Sequence, residues 1–204
     1  MKKKNTVPCF ILPKIFRWML VCIVSLMVST TAEAAITIDG NFSDWSPSDL
    51  LGTDTSGDVS SGDMVDWTAM WARSEAGNLC LSYETAGAID FAANAWRYGI
   101  YIDADNNAST GFHGTGGDLH IGAEYLIEGR NIMPYLGDGR SWEWGGPTAV
   151  DHAVSGNRLE MSLPESDLGL AGNYTISILL YGSNPGRVDC LNDDKSGSEY
   201  TAVR

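Results

Sequence analysis

Positive charge is scarce in this chain. Its 204 residues hold 13 Lys and Arg against 26 Asp and Glu. Five of the cations (Lys2, Lys3, Lys4, Lys14 and Arg17) and one of the acids (Glu33) fall in the first 34 residues, so residues 35–204 keep 8 basic and 25 acidic side chains, a formal charge of −17. A surface of that sign repels nucleic acid and anionic membranes, and neither is expected as a partner. Histidine is limited to His113, His120 and His152. No Gly-x-Ser-x-Gly elbow, His-Glu-x-x-His pair or phosphate loop occurs, so the chain is read as non-catalytic. A long apolar run is missing too. The main one, Trp18 to Val28, falls short of the ~20 residues that span a bilayer.

What is there begins with an export signal. Lys2, Lys3, Lys4, Lys14 and Arg17 precede the apolar run, and Ala32-Glu33-Ala34 supplies a small-x-small cleavage site. Residues 1–34 are therefore expected to be removed, with the mature chain starting at Ala35 as one secreted or periplasmic domain over 35–204; the competing reading is an uncleaved membrane anchor. Of the four cysteines, Cys80 and Cys190 lie in the mature chain. An oxidising compartment favours a Cys80–Cys190 disulfide, and two separate buried thiols are the alternative.

No amphipathic helix stands out. Gly, Ser, Asp and Asn recur every ten residues or so between short alternating segments, which predicts an all-β fold. Ile36–Ile38 is expected as a strand and Ser43-Asp44-Trp45 as a capped turn. Leu51–Asp63 is expected as a loop. Strands are then expected over Met64–Arg73, with Val65, Trp67, Ala69 and Trp71 on one face, and over Leu79–Tyr83 and Trp96–Ile102. Others follow at Ile121–Ile127, Asn131–Leu136, Ala149–Val154, Leu159–Leu163, Tyr174–Tyr181 and Tyr200–Val203. The sum is an antiparallel, jelly-roll-like β-sandwich of about nine to ten strands.

Four segments, in this order, carry a resemblance. The opening Ile36-Thr37-Ile38-Asp39-Gly40-Asn41-Phe42-Ser43-Asp44-Trp45 resembles an I-x-I-D-G-x-x-x-D-W start. Ile100 to Phe112 and Ile121 to Glu128 resemble a second hallmark, and Asn157 to Pro164 a third. Together they are similar to family 9 carbohydrate-binding modules, within the DOMON-like sandwich group. The resemblance implies a β-sandwich that binds sugar between tryptophans and often carries structural calcium. The same group includes haem binders and extracellular domains of other roles. A haem-binding redox domain, using Met64, Met70, Met133 or Met161 with histidine, and a surface or matrix protein-interaction module are therefore the rival readings.

Asp103, Asp105 and Asn107 alternate just after an apolar strand, and Ser109 follows. Calcium takes six to eight oxygen ligands, and this spacing matches the first half of an EF-hand-type loop. The twelfth position is Gly114 rather than Glu, so Asp118 and Glu124 are the nearest further ligands. The alternative is an Asp/Asn-rich turn that satisfies its own backbone.

Trp142 and Trp144 stand in the polar, Gly-rich stretch Asp138–Gly146. Their i, i+2 spacing puts both on one face of an extended segment. Indoles stack on sugar C–H faces, and Arg140, Glu143 or Asn131 would meet hydroxyls; Trp96 and Tyr135 are further candidates. The alternative is that the pair covers a sheet edge. A polysaccharide or oligosaccharide is the expected partner.

Overall fold

The structure is a computed structural model that describes residues 33–59, 65–184 and 187–203. The expected leader thus lies outside the described residues except for Glu33 and Ala34, and so does Met64. Among the described residues twelve strands form, more than the nine or ten expected. They are β1 (Leu50–Thr53), β2 (Trp67–Glu75), β3 (Asn78–Thr85), β4 (Gly99–Asp103), β5 (Tyr125–Glu128) and β6 (Asn131–Pro134), then β7 (Thr148–Ala149), β8 (Asp151–Ser155), β9 (Arg158–Pro164), β10 (Tyr174–Asn184), β11 (Arg187–Cys190) and β12 (Ser198–Ala202). One sheet has the order β1-β2-β3-β9-β8. The other has the order β11-β10-β4-β5-β6-β7, with β12 also pairing β10. Every pairing is antiparallel, as the alternating apolar pattern implied.

The core lies between the two sheets. Leu79, Leu81 and Tyr83 of β3 and Leu159, Met161 and Leu163 of β9 face Ile100, Ile102, Ile127, Ile176, Ile178 and Leu180 of the other sheet. Trp67 is fully buried at its centre, with the Tyr83 ring edge-on at 4.9 Å. Burial of this set is the main stabilising term.

Beyond Trp67 the expected face of β2 is wrong. The pairing of β2 with β3 shifts register between Trp67 and Ala69. One extra residue there reverses the parity of everything after it. Met70 and Ala72 therefore enter the core, while Trp71 turns to the outer face, where the Arg158 guanidinium sits 3.9 Å from its ring centroid. The stretch expected as a loop from Leu51 is also partly strand, since Leu50–Thr53 pairs with β2.

The N-terminal segment packs on that same outer face, and Ile36–Ile38 is not a strand. Its backbone amides find carboxylates instead of a neighbouring strand. Ile36 N donates to Glu75 Oε1 at 2.8 Å and Thr37 N to Asp44 Oδ2 at 2.7 Å. Asp39 N and Gly40 N donate to Glu160 Oε1 at 2.8 and 2.6 Å, and Trp45 Nε1 donates to Glu160 Oε2 at 3.0 Å. The capped turn does form, as a 3-10 turn over Phe42–Asp44 with Asn41 as its cap. Trp45 is buried, but against the outside of the sheet rather than between the sheets.

The disulfide expectation is corrected by the same geometry. Cys80 and Cys190 are both free and buried. On β3, Cys80 alternates with the core-facing Leu79 and Leu81, so it lies on the outer face of the five-stranded sheet. Cys190 belongs to the cluster on the outer face of the seven-stranded sheet. Two sheets about 10 Å apart stand between them, and a disulfide needs Cα atoms within about 7 Å. Burial pushes the thiols up, to about 11 for Cys80 and about 12 for Cys190, which leaves both unreactive at neutral pH.

Two outcomes follow. Glu160→Ala leaves three donors without an acceptor and is expected to lower unfolding stability by about 3 kcal/mol in urea titration, with Glu160→Gln losing less. Alkylation of unreduced protein, purified without residues 1–34, is expected to modify Cys80 and Cys190 only after denaturation, with the mass of two added groups.

Candidate functional site

The outer face of the seven-stranded sheet is covered as well. Tyr101, Leu126 and Leu179 pack there against Phe112, Leu119, Ile121 and Ala123, which belong to the long connection between β4 and β5. That connection is pinned to itself through Phe112 and Ala123, whose backbones exchange hydrogen bonds of 2.8 and 3.0 Å. The chain after β6 adds a further layer. Tyr135 pairs with Trp144, and Leu136 N donates to Glu143 O at 2.8 Å.

This hairpin brings Trp142 and Trp144 to one face, as their spacing implied. Their ring centroids lie 5.5 and 5.3 Å from Phe112 and 5.7 Å from each other. The two indoles meet edge to face, at 73°, so they do not form a flat platform. Trp144 is wedged against Tyr135 and Tyr101, whereas Trp142 remains 54% exposed. Beside Trp142 opens a cleft of about 170 Å³ bounded by Tyr101, Phe112, Thr115, Asp118 and Tyr181. Burial raises the Tyr181 phenol to about 12, so it stays neutral at physiological pH.

The other candidates take different places. Tyr135 supports the hairpin tip: its hydroxyl donates to Ser141 O at 3.0 Å and accepts from Gly139 N at 2.8 Å. Arg140 is exposed and lies over Gly117, where a Cβ would stand 2.8 Å from Nη2. Glu143 is exposed. Trp96 is 41% exposed on the 3-10 turn Ala95–Arg97. Ala95 abuts Gly129, in the turn between β5 and β6, so Trp96 and Asn131 sit at the far end of that hairpin from Tyr135. Neither joins the cleft. Of the methionines considered for haem, Met70 and Met161 are in the core between the sheets, and Met133 packs against the aromatic cluster.

Tyr101, Phe112, Tyr181 and Thr115 were not singled out from sequence. A signal existed for Tyr101. It alternates with core-facing Ile100 and Ile102, yet it is itself apolar in body, the mark of a strand covered on both faces.

Where β4 ends, three carboxylates converge. Ligand oxygens of Asp103, Asp105 and Glu124 lie within 4.8 Å of one another. Asp103 is only 2% exposed and accepts from Asn107 N at 3.0 Å and Gly122 N at 3.2 Å. Asp105 accepts from Asn107 N and from Thr110 Oγ1, both at 3.0 Å. Glu124 Oε2 accepts from Ala104 N at 2.9 Å, while Oε1 is buried with no donor. That oxygen presses on Gly111, which has a φ of +63° and no room for a side chain. Burial, reinforced by Asp105 and Asp103, raises Glu124 to about 7; burial also raises Asp103. None of the ion pairs among the described residues involves these three acids. Clustered hard oxygens, one of them orphaned, suit a divalent cation such as calcium.

The remaining expected ligands are used otherwise. Asn107 Oδ1 accepts from Ser109 N at 3.1 Å, the self-satisfying turn weighed as the alternative, and Ser109 is exposed. Asp118 is paired with Lys195 Nζ at 2.6 Å, which lowers its pKa, and it borders the aromatic cleft. A second acidic group joins Asp54 and Asp58 to Asp193, which meets them only through the fold.

The raised Glu124 sets a sign for the pH dependence of the chelated protein. A carboxyl whose folded pKa exceeds its ordinary 4.5 stabilises most when protonated, and that contribution is lost as pH rises through about 7. Melting temperature in chelator is expected to fall between pH 5 and pH 8, with a smaller fall in Glu124→Gln.

Comparison with protein-family models, with curated proteins and with solved structures finds no match to this chain.

Proposed function

We propose that this protein is a secreted, non-catalytic carbohydrate-binding module, stabilised by calcium, that takes polysaccharide or oligosaccharide at the Trp142 cleft. The observation that carries the reading is the half-exposed Trp142, propped edge-on by Phe112 and Trp144 beside the polar Thr115 and Asp118. A rigid exposed indole next to a few polar groups is how sugar rings are held: the C–H face stacks and the hydroxyls are met at the rim. The resemblance of the Ile36–Trp45 and Ile100–Phe112 segments to family 9 modules points in the same direction.

Calcium enters through the same connection that forms the cleft. Asp103, Asp105 and Glu124 bracket a segment that contributes Phe112, Thr115 and Asp118 to the cleft wall. A cation held by the three acids would neutralise their repulsion and stiffen that wall.

Glycan-array or affinity-gel screening tests the sugar site. Trp142→Ala is expected to weaken binding by more than about tenfold, a loss of about 1.4 kcal/mol or more, while Trp96→Ala leaves it unchanged. Identical profiles for wild type and Trp142→Ala would remove the site. Calorimetry of chelated protein is expected to show calcium binding that Glu124→Gln abolishes, and a rise in melting temperature that the variant lacks.

A further inference from the structure

We propose that the amino terminus released between Ala34 and Ala35 is a structural group, its ammonium held by Glu75 on the outer face of the five-stranded sheet. The inference rests on the export reading, since hydrolysis there by the host's signal-removing peptidase creates the charge. Water adds to the Ala34 carbonyl carbon, Ala34 leaves as a carboxylate on the leader, and the Ala35 nitrogen takes up a proton to become an ammonium.

The receiving site is already in place. Ile36 N donates to Glu75 Oε1 at 2.8 Å, and the Ala34 carbonyl accepts from Arg73 Nη1 at 2.7 Å. The Ala35 nitrogen lies between these two anchors, within about 3.6 Å of Ile36 N along the chain. Arg73 is held independently of Ala34: its Nε donates to Asp49 Oδ1 at 3.0 Å, its Nη2 to Asp44 O at 2.9 Å, and its Nη1 stands 3.4 Å from Glu75 Oε2. Losing the Ala34 carbonyl therefore does not release it.

Charge balance favours a second cation here. Asp49 and Glu75 flank the Arg73 guanidinium, whereas the Asp44 carboxylate, whose Oδ1 is buried with no donor, acts on Arg158. Glu33 also acts on Arg73 and departs with the leader; Glu160, met by its own three donors, lies beside Cys80 from β3, and Cys80 and Tyr200 from β12 are uncharged at neutral pH. Two carboxylates, Asp49 and Glu75, against one guanidinium leave the site one cation short, and processing at Ala34 supplies one within reach of Glu75.

The test uses the full chain, exported and processed by its host. Amino-terminal sequencing is expected to begin at Ala35. Competitive acylation of the α-amino group, followed across pH by mass spectrometry, is expected to place its pKa about one unit above the ordinary 7.7–8.0, a roughly fivefold slower labelling near pH 8. Unfolding wild type in guanidinium chloride is expected to restore ordinary labelling, as is Glu75→Gln in folded protein. A different first residue would overturn the export reading. Start at Ala35 with native labelling equal to that of unfolded wild type would leave that reading intact and sink this one.

Discussion

A single buried carboxylate holds the outer layer of this protein in place. Glu160 is fully buried on the outside of the five-stranded sheet, a position that is costly for an acid unless its oxygens are met. Three donors from the N-terminal segment meet them, two backbone amides and the Trp45 indole. The satisfaction is mutual, because that segment has no neighbouring strand of its own to bond. Around this anchor, Arg73 grips Asp49, and Arg158 lies over both Phe42 and Trp71. Ser82 and Cys80 are buried on that face as a result.

The opposite face is covered by different means. There the connection between β4 and β5 folds back over the sheet and seals it with aromatic rings rather than carboxylates. An antiparallel sandwich ordinarily leaves one face of each sheet to water. Here both outer faces carry a further layer, so β4 is buried along its whole length. Function is proposed where the aromatic layer is incomplete, at Trp142, and where its polypeptide turns back, at the Asp103 carboxylates. The two places share one connection, which ties the aromatic cleft and the acidic cluster to the same stretch of chain.

Period-two alternation made most strands legible, and it placed Leu79, Leu81 and Tyr83 on the correct face. It failed at β2 because a bulge changes parity without leaving a mark in the residue pattern, so Trp71 was assigned inward and lies outward. It failed at Ile36–Ile38 because an extended apolar segment looks the same whether its amides bond to a strand or to carboxylates. In the acidic cluster, Asp103 and Asp105 were legible from local spacing. Glu124 joins these two acids only through the fold, and Asp118 is paired with Lys195, 77 residues later.

Sequence alone determined what depends on neighbours along the chain: the all-β class, the turns, the acidity, the shared face of Trp142 and Trp144, and the carboxylates that open the Asp103 loop. Tertiary structure decided what depends on which surfaces meet. It separated Cys80 from Cys190 by putting them on opposite outer faces, and it removed Trp96 from the cleft. It also gathered Tyr101, Phe112 and Tyr181 beneath Trp142. The reason is that strand alternation specifies two faces for each strand but not what covers them, and the covering segments here come from parts of the chain remote in sequence.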